Sequence, residues 1–170
     1  MTVLNTVEAR SRLVRADILG LAGFLLICFA VAALGGAVTA SSVETWYPTL
    51  NKPAFNPPDW VFAPVWTVLY AAMAVAGWRI WRSPPTPPRR TALVLFAIQL
   101  GLNCAWSILF FGAREIGLAF ADILLLLLAL GATTVAFWRI DRVAGWLFLP
   151  YLLWVGYAAA LNGAIWLLNA

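Results

Sequence analysis

The sequence predicts an all-α integral membrane protein, a bundle of five transmembrane helices. Three observations carry that reading. The 170-residue chain is 64% hydrophobic and only 11% charged, and its mean hydropathy of +0.89 lies outside the range of soluble domains, which are roughly half apolar. Five stretches nearly free of charge each reach the about 20 residues that a helix needs to cross a bilayer. Basic residues collect in the gaps between those stretches rather than along one face. Lipid offers no partner to backbone N–H and C=O groups, so runs of this length must close their hydrogen bonds internally, as helices.

Residues 1–17 read as a cytoplasmic N-terminal tail bearing Arg10, Arg12 and Arg15, and residues 18–170 as one membrane domain. The first span, 18–43, is too long for a cleavable signal segment, whose apolar region is only about 7–15 residues. The connection 44–59 carries an unusual density of rings and prolines. Pro53, Pro57 and Pro58 forbid a regular helix there and bias the preceding residues to extended backbone. Trp46, Tyr47, Phe55 and Trp60 suit a membrane interface, as an aromatic belt or as a fixed lid over a cavity. The second span is 60–78, and the run "SPPTPPRR" (83–90) after it reads as a stiff linker with a polyproline bias. Spans follow at 91–113, at 116–138 with the single charge Asp122, and at 143–170.

Orientation follows from the basic residues. Arg10, Arg12, Arg15, Arg79, Arg82, Arg89, Arg90, Arg139 and Arg142 fall on one side, against only Lys52 and Arg114 on the other. This bias places the N-terminus in the cytoplasm of a bacterial host and the 44–59 connection on the opposite face. A net charge of +4 distributed in this way reflects topology, not phosphate binding, so nucleic acid is not an expected partner. The chain has no histidine and two cysteines. With no CxxC, HExxH or similar spacing, neither a metal site nor thiol redox chemistry is expected. Cys28 and Cys104 lie in apolar runs and read as small buried residues.

Several intramembrane residues are candidates for more than packing. Phe62, Trp66, Tyr70 and Met73 share one helical face, as packing core or as the wall of a cavity for a flat apolar ligand. Gln99 and Asn103 stand one turn apart, with Trp106 three residues on. Amides in lipid must find partners, so this face points inward, as interhelical glue or as a ligand contact. Ala97, Gly101 and Ala105 place small residues on a neighbouring face and permit close approach of a second helix. Asp122 is the sole ionisable group well within a span and stands about 9 Å along the axis from Ile116; structural and functional roles are both open. Tyr151, Trp154, Ala158 and Asn162 share an inward face in the last span, where Pro150 frees a carbonyl and is expected to kink the helix. No internal repeat of the inverted-topology transporter kind is visible.

The segments "WYPTLNKPAFNPPDWVFAPVWTVLY" (46–70), "QLGLNCAWSILFFGAREIGLAFADILLL" (99–126) and "PYLLWVGYAAALN" (150–162) resemble the signature regions of the TspO/MBR family, the translocator or tryptophan-rich sensory proteins. The resemblance covers all but the tail. It implies a five-helix membrane protein, commonly a homodimer, that binds porphyrins and synthetic benzodiazepine- and isoquinoline-type ligands beneath its first long loop. Carried over by motif position, the ligand-binding residues are Tyr47, Pro57, Trp66, Asn103, Trp106, Trp154 and Ala158, with Asp122 matching an acid of the fourth helix. Tyr157 is followed only by apolar residues and Asn162, unlike the sterol-recognition pattern, which needs Lys or Arg. Phe55 stands where tryptophan is usual, and Leu118 where animal members carry tryptophan.

The expected function is therefore binding of porphyrins, tetrapyrroles and similar flat hydrophobic ligands by a stress-linked sensor or regulator. Alternatives are transport of porphyrin or another hydrophobic metabolite, and light-dependent degradation of porphyrin with Trp66 and Trp154 as redox-active side chains. No cofactor is required; protoporphyrin or haem is the expected ligand, held without an imidazole by stacking, hydrogen bonds and charge. No general acid–base pair or nucleophile–base set is visible, so catalysis without light is not expected. Membrane lipid, porphyrin-type molecules and a second copy of the chain complete the expected partners.

Overall fold

The computed structural model describes the backbone of residues 2–170 and the side chains of residues 14–170. Arg10 and Arg12 of the expected tail have side chains outside the described residues. The described chain is helical without strands: α1 (Thr2–Val43), α2 (Phe62–Arg82), α3 (Pro87–Ser107), α4 (Ile116–Ile140) and α5 (Arg142–Asn169). All five contain a stretch long and apolar enough to cross a membrane. The protein is a multi-pass integral membrane protein. α1 packs on α2 and α3, α2 on α5, and α4 on α3 and α5, so the helices close into a ring in the order α1, α2, α5, α4, α3.

Three boundaries differ from expectation for local reasons. α1 begins at Thr2 and runs without a break into its apolar part, which starts at Val14. The 83–90 linker is shorter than expected, because α3 already starts at Pro87. Proline is tolerated in a first helical turn, where its missing N–H has no intrahelical partner to lose. Thr86, extended at φ −118° and ψ 158°, precedes it. The gap between α4 and α5 shrinks to Asp141. Its carboxylate caps α5 by accepting from the Val143 and Ala144 amides at 2.9 and 3.4 Å and also accepts from Arg79 Nε at 2.8 Å. Gly145 permits this tight corner, since a Cβ there would meet the Trp138 side chain at 2.7 Å and its Cα at 2.9 Å. Pro150 is accommodated within a continuous α5.

Arg82 pairs with Asp17 at 2.9 Å and Trp78 Nε1 donates to the Asp17 carbonyl at 3.0 Å. These contacts fasten α1 to α2 at the basic end of the bundle. A buried aromatic group fills the interior toward the same end, with Phe137 against Phe148 at 4.8 Å and Phe96 stacked on Phe137 at 6.1 Å. At the other end α3 widens into a π-helical turn, Ile108–Gly112. Arg114 follows with φ 60°, a left-handed conformation that costs a non-glycine residue about 1–2 kcal/mol. The Ala113 and Glu115 amides bond back to the Ile108 and Leu109 carbonyls at 2.7 and 2.9 Å, and the Arg114 guanidinium lies 5.8 Å from the Trp46 ring centroid. Both contacts offset that cost.

Candidate functional site

The 44–59 connection folds over this wider end as an ordered strap. Tyr47–Thr49 forms a 3-10 turn at its start, and another, Asp59–Val61, leads into α2. Ring packing and hydrogen bonds hold the strap down. Tyr47 is buried against Phe110 and Phe111, at 6.4 and 5.9 Å between centroids, and its hydroxyl donates to Asn56 Oδ1 at 2.6 Å. Tyr157 of α5 donates to the Phe55 carbonyl at 2.6 Å. Asn51 and Asn169 clasp each other, the Asn51 amide donating to Asn169 Oδ1 at 3.0 Å and Asn169 Nδ2 to the Asn51 carbonyl at 2.9 Å. Trp60, in contrast, is 75% exposed, as an interfacial belt residue would be.

Beneath the strap lies a cavity of about 500 Å³ bounded by α1, α2, α3 and α5, within the range of small-molecule sites. Nine of its lining residues are aromatic. α2 contributes Phe62, Trp66 and Tyr70, α3 Trp106, α5 Trp154, and the strap Tyr47. Trp66 stands 5.6 Å from Tyr70 and 6.0 Å from Tyr151, while Trp154 stands 6.1 Å from Phe62 and 5.7 Å from Tyr157. These contacts lock the indoles in place. Trp154 Nε1 is buried and has no hydrogen-bond partner in the protein; the indole meets the cavity through its other atoms.

The polar groups of the wall divide by partner. Asn103 accepts from the Tyr70 hydroxyl and donates to the Tyr151 hydroxyl at 2.8 Å, tying α3 to α2 and α5. Asn162 accepts from Trp106 Nε1 at 2.9 Å and donates to the Ile116 carbonyl at 3.1 Å. Both amides therefore serve as interhelical ties whose residues also face the cavity. Gln99, one turn from Asn103, is fully buried with neither end of its amide bonded. Asp122 is buried with Oδ2 unpartnered and is not in the cavity lining.

Of the expected ligand-binding residues, Tyr47, Trp66, Asn103, Trp106, Trp154 and Ala158 converge on this one cavity, whereas Pro57 and Asp122 stand outside its lining. Pro57 sits half-buried in the strap, its carbonyl accepting from Asn56 Nδ2 at 3.2 Å. Met73 leaves the aromatic face of α2 for the core, with no exposure. Ala97 and Gly101 lie on the exposed outer face of α3, with Ala105 half-exposed beside them, away from the cavity. Among the described residues no cluster of His, Cys, Asp and Glu could hold a metal, and Cys28 and Cys104 are free thiols.

Sequence reasoning missed the contribution of α1. Ala32, Gly36 and Ala40 line the cavity together with Phe29, and the first three recur every four residues on one face. A Cβ built at Gly36 would meet nothing within 4 Å; that face is open. The four-residue spacing of these small residues, in a stretch rich in Ala and Gly, was the available signal.

The sequence profile of the TspO/MBR family matches residues 24–167. The tryptophan-rich protein TspO of Archaeoglobus fulgidus is 41% identical over 154 residues, covering 91% of this chain and 99% of that protein. The human translocator protein is 42% identical over 123 residues, covering 71% and 73% of the two chains. The tryptophan-rich sensory protein of Cereibacter sphaeroides is 39% identical over 139 residues, covering 82% and 84%.

Proposed function

The chain belongs to the TspO/MBR family, and from that premise we propose that it binds porphyrins, other tetrapyrroles and similar flat hydrophobic molecules in the cavity beneath its strap. In this reading it acts as a stress-linked sensor or regulator, as a homodimer, with its N-terminus in the cytoplasm. One observation carries the proposal: a space of about 500 Å³ whose wall carries the rings of Tyr47, Phe62, Trp66, Tyr70, Trp106 and Trp154. Flat π-systems gain offset or edge contacts with such rings. Asn103 supports the wall rather than reaching for ligand, because both ends of its amide are engaged.

The test is a titration of tryptophan fluorescence with protoporphyrin in wild type, Trp66→Ala and Trp154→Ala, each checked for folding. Aromatic pairs contribute about 0.5–1.5 kcal/mol beyond area burial, so loss of either indole should weaken binding several-fold. Unchanged affinity in both variants would sink the assignment. A parallel illuminated arm addresses the second reading, light-dependent degradation, which the exposure of two indoles to one cavity favours. Loss of porphyrin absorbance in wild type under light, and its absence in both indole variants, is the expected signature.

A further inference from the structure

The cavity also carries a charge pattern that its ring-binding role does not use. Glu44, just past α1, and Asp59, at the start of the second 3-10 turn, are the charged residues of its lining, and no basic residue joins them. Both are exposed and stand at the ends of the first two spans, so they mark the edge of the cavity toward the strap. Neither forms an ion pair among the described residues, where the pairs are Arg79 with Asp141 and Arg82 with Asp17. The two cations on this side of the bundle stand outside the lining, each held against a ring of the strap. Lys52 donates to the Tyr47 carbonyl at 2.8 Å and lies 4.6 Å over the Tyr47 ring, while Arg114 lies over Trp46. The field of Asp59 reaches the wall. The Tyr47 hydroxyl is pushed up to about 12, first by burial and next by the negative charge of Asp59.

Low-dielectric walls focus the field of charges placed at their mouth. A ligand substituent held at this rim therefore meets two carboxylates and no cation of the lining itself. We propose that Glu44 and Asp59 make the cavity selective for flat aromatic ligands bearing a cationic or uncharged substituent over those bearing a carboxylate. The inference rests on the flat-ring reading of the cavity and adds the charge class of its ligand. A porphyrin dicarboxylate then binds with its acid groups directed away from this rim, and its neutral esters bind more tightly.

Three acridines of one ring size supply the test. At neutral pH 9-aminoacridine is a cation, 9-methylacridine is neutral and acridine-9-carboxylate is an anion. Binding is measured by fluorescence at low ionic strength to the protein in nanodiscs of zwitterionic lipid, with empty discs subtracted. The expected order is amino over methyl over carboxylate. Exposed ion pairs are each worth a few-fold in affinity, so the Glu44→Gln/Asp59→Asn double variant should lower the amino-to-carboxylate ratio by about ten-fold. Binding of 9-methylacridine should stay unchanged, and added salt should shrink the wild-type ratio. If the double variant loses 9-methylacridine as well, the single variants decide, each expected to lower the ratio a few-fold. A ratio unchanged in the variants, or equal affinity for all three probes in wild type, overturns the charge inference alone. Binding of none of the three overturns it together with the flat-ring reading.

Discussion

Asn103→Ala is expected to destabilise the bundle through two tyrosines that it leaves without a partner. Asn103 is 3% exposed, Tyr70 6% and Tyr151 0%, so water does not replace the lost amide freely. Leaving a buried hydroxyl unsatisfied costs about 1–3 kcal/mol in soluble proteins. Interhelical hydrogen bonds within membranes average nearer 0.6 kcal/mol, with a maximum of about 1.7. Two such bonds therefore predict a loss of about 1–3 kcal/mol for Asn103→Ala. The residual cavity adds to that figure. Removing the whole polar set should be milder, because nothing is then stranded: Asn103→Leu with Tyr70→Phe and Tyr151→Phe should recover most of the loss. Unfolding in detergent, followed by tryptophan fluorescence, measures both variants against wild type. The reasoning fails if Asn103→Ala unfolds with wild type, or if the triple variant is as unstable as the single one.

Asp141→Ala removes both the α5 cap and the Arg79 pair and should cost about 1–2 kcal/mol in the same assay, with Asp141→Asn losing less because it keeps a capping oxygen. Burial alone would raise the Asp141 carboxyl, but the bonds from Arg79, Val143 and Ala144 hold it below its ordinary 3.8; its contribution should be complete above that pH and fade below it, and a stability profile flat across this acidic range would contradict the pairing. Gly101→Leu should leave the fold intact, since a Cβ there meets nothing within 4 Å, while shifting the protein toward monomer if α3 forms the dimer contact. Unchanged cross-linking would place the contact elsewhere. Asn169→Ala combined with Tyr157→Phe should release the strap, read as faster hydrogen exchange and proteolysis across 50–57; unaltered protection would show that these two side chains do not hold it.

The sequence by itself determined the number of helices and most of their bounds, because lipid leaves a long apolar run only one way to satisfy its backbone. It also showed which residues share a face. Periodicity placed Phe62, Trp66 and Tyr70 together on α2, and Trp154 with Ala158 on α5. It could not say what lies opposite a face. Gln99 and Asn103 carry the same chemistry one turn apart, yet Asn103 finds two tyrosines and Gln99 finds none. Tyr47 and Trp60 read alike as interfacial rings, but one is packed on α3 and the other is left exposed. Asp122 proved separate from the cavity, and α1 turned its small residues toward it. The clasp between Asn51 and Asn169 joins residues 118 positions apart. A helical period fixes the direction of a side chain about its own axis; only the ring order of α1, α2, α5, α4 and α3 decides which neighbour it meets.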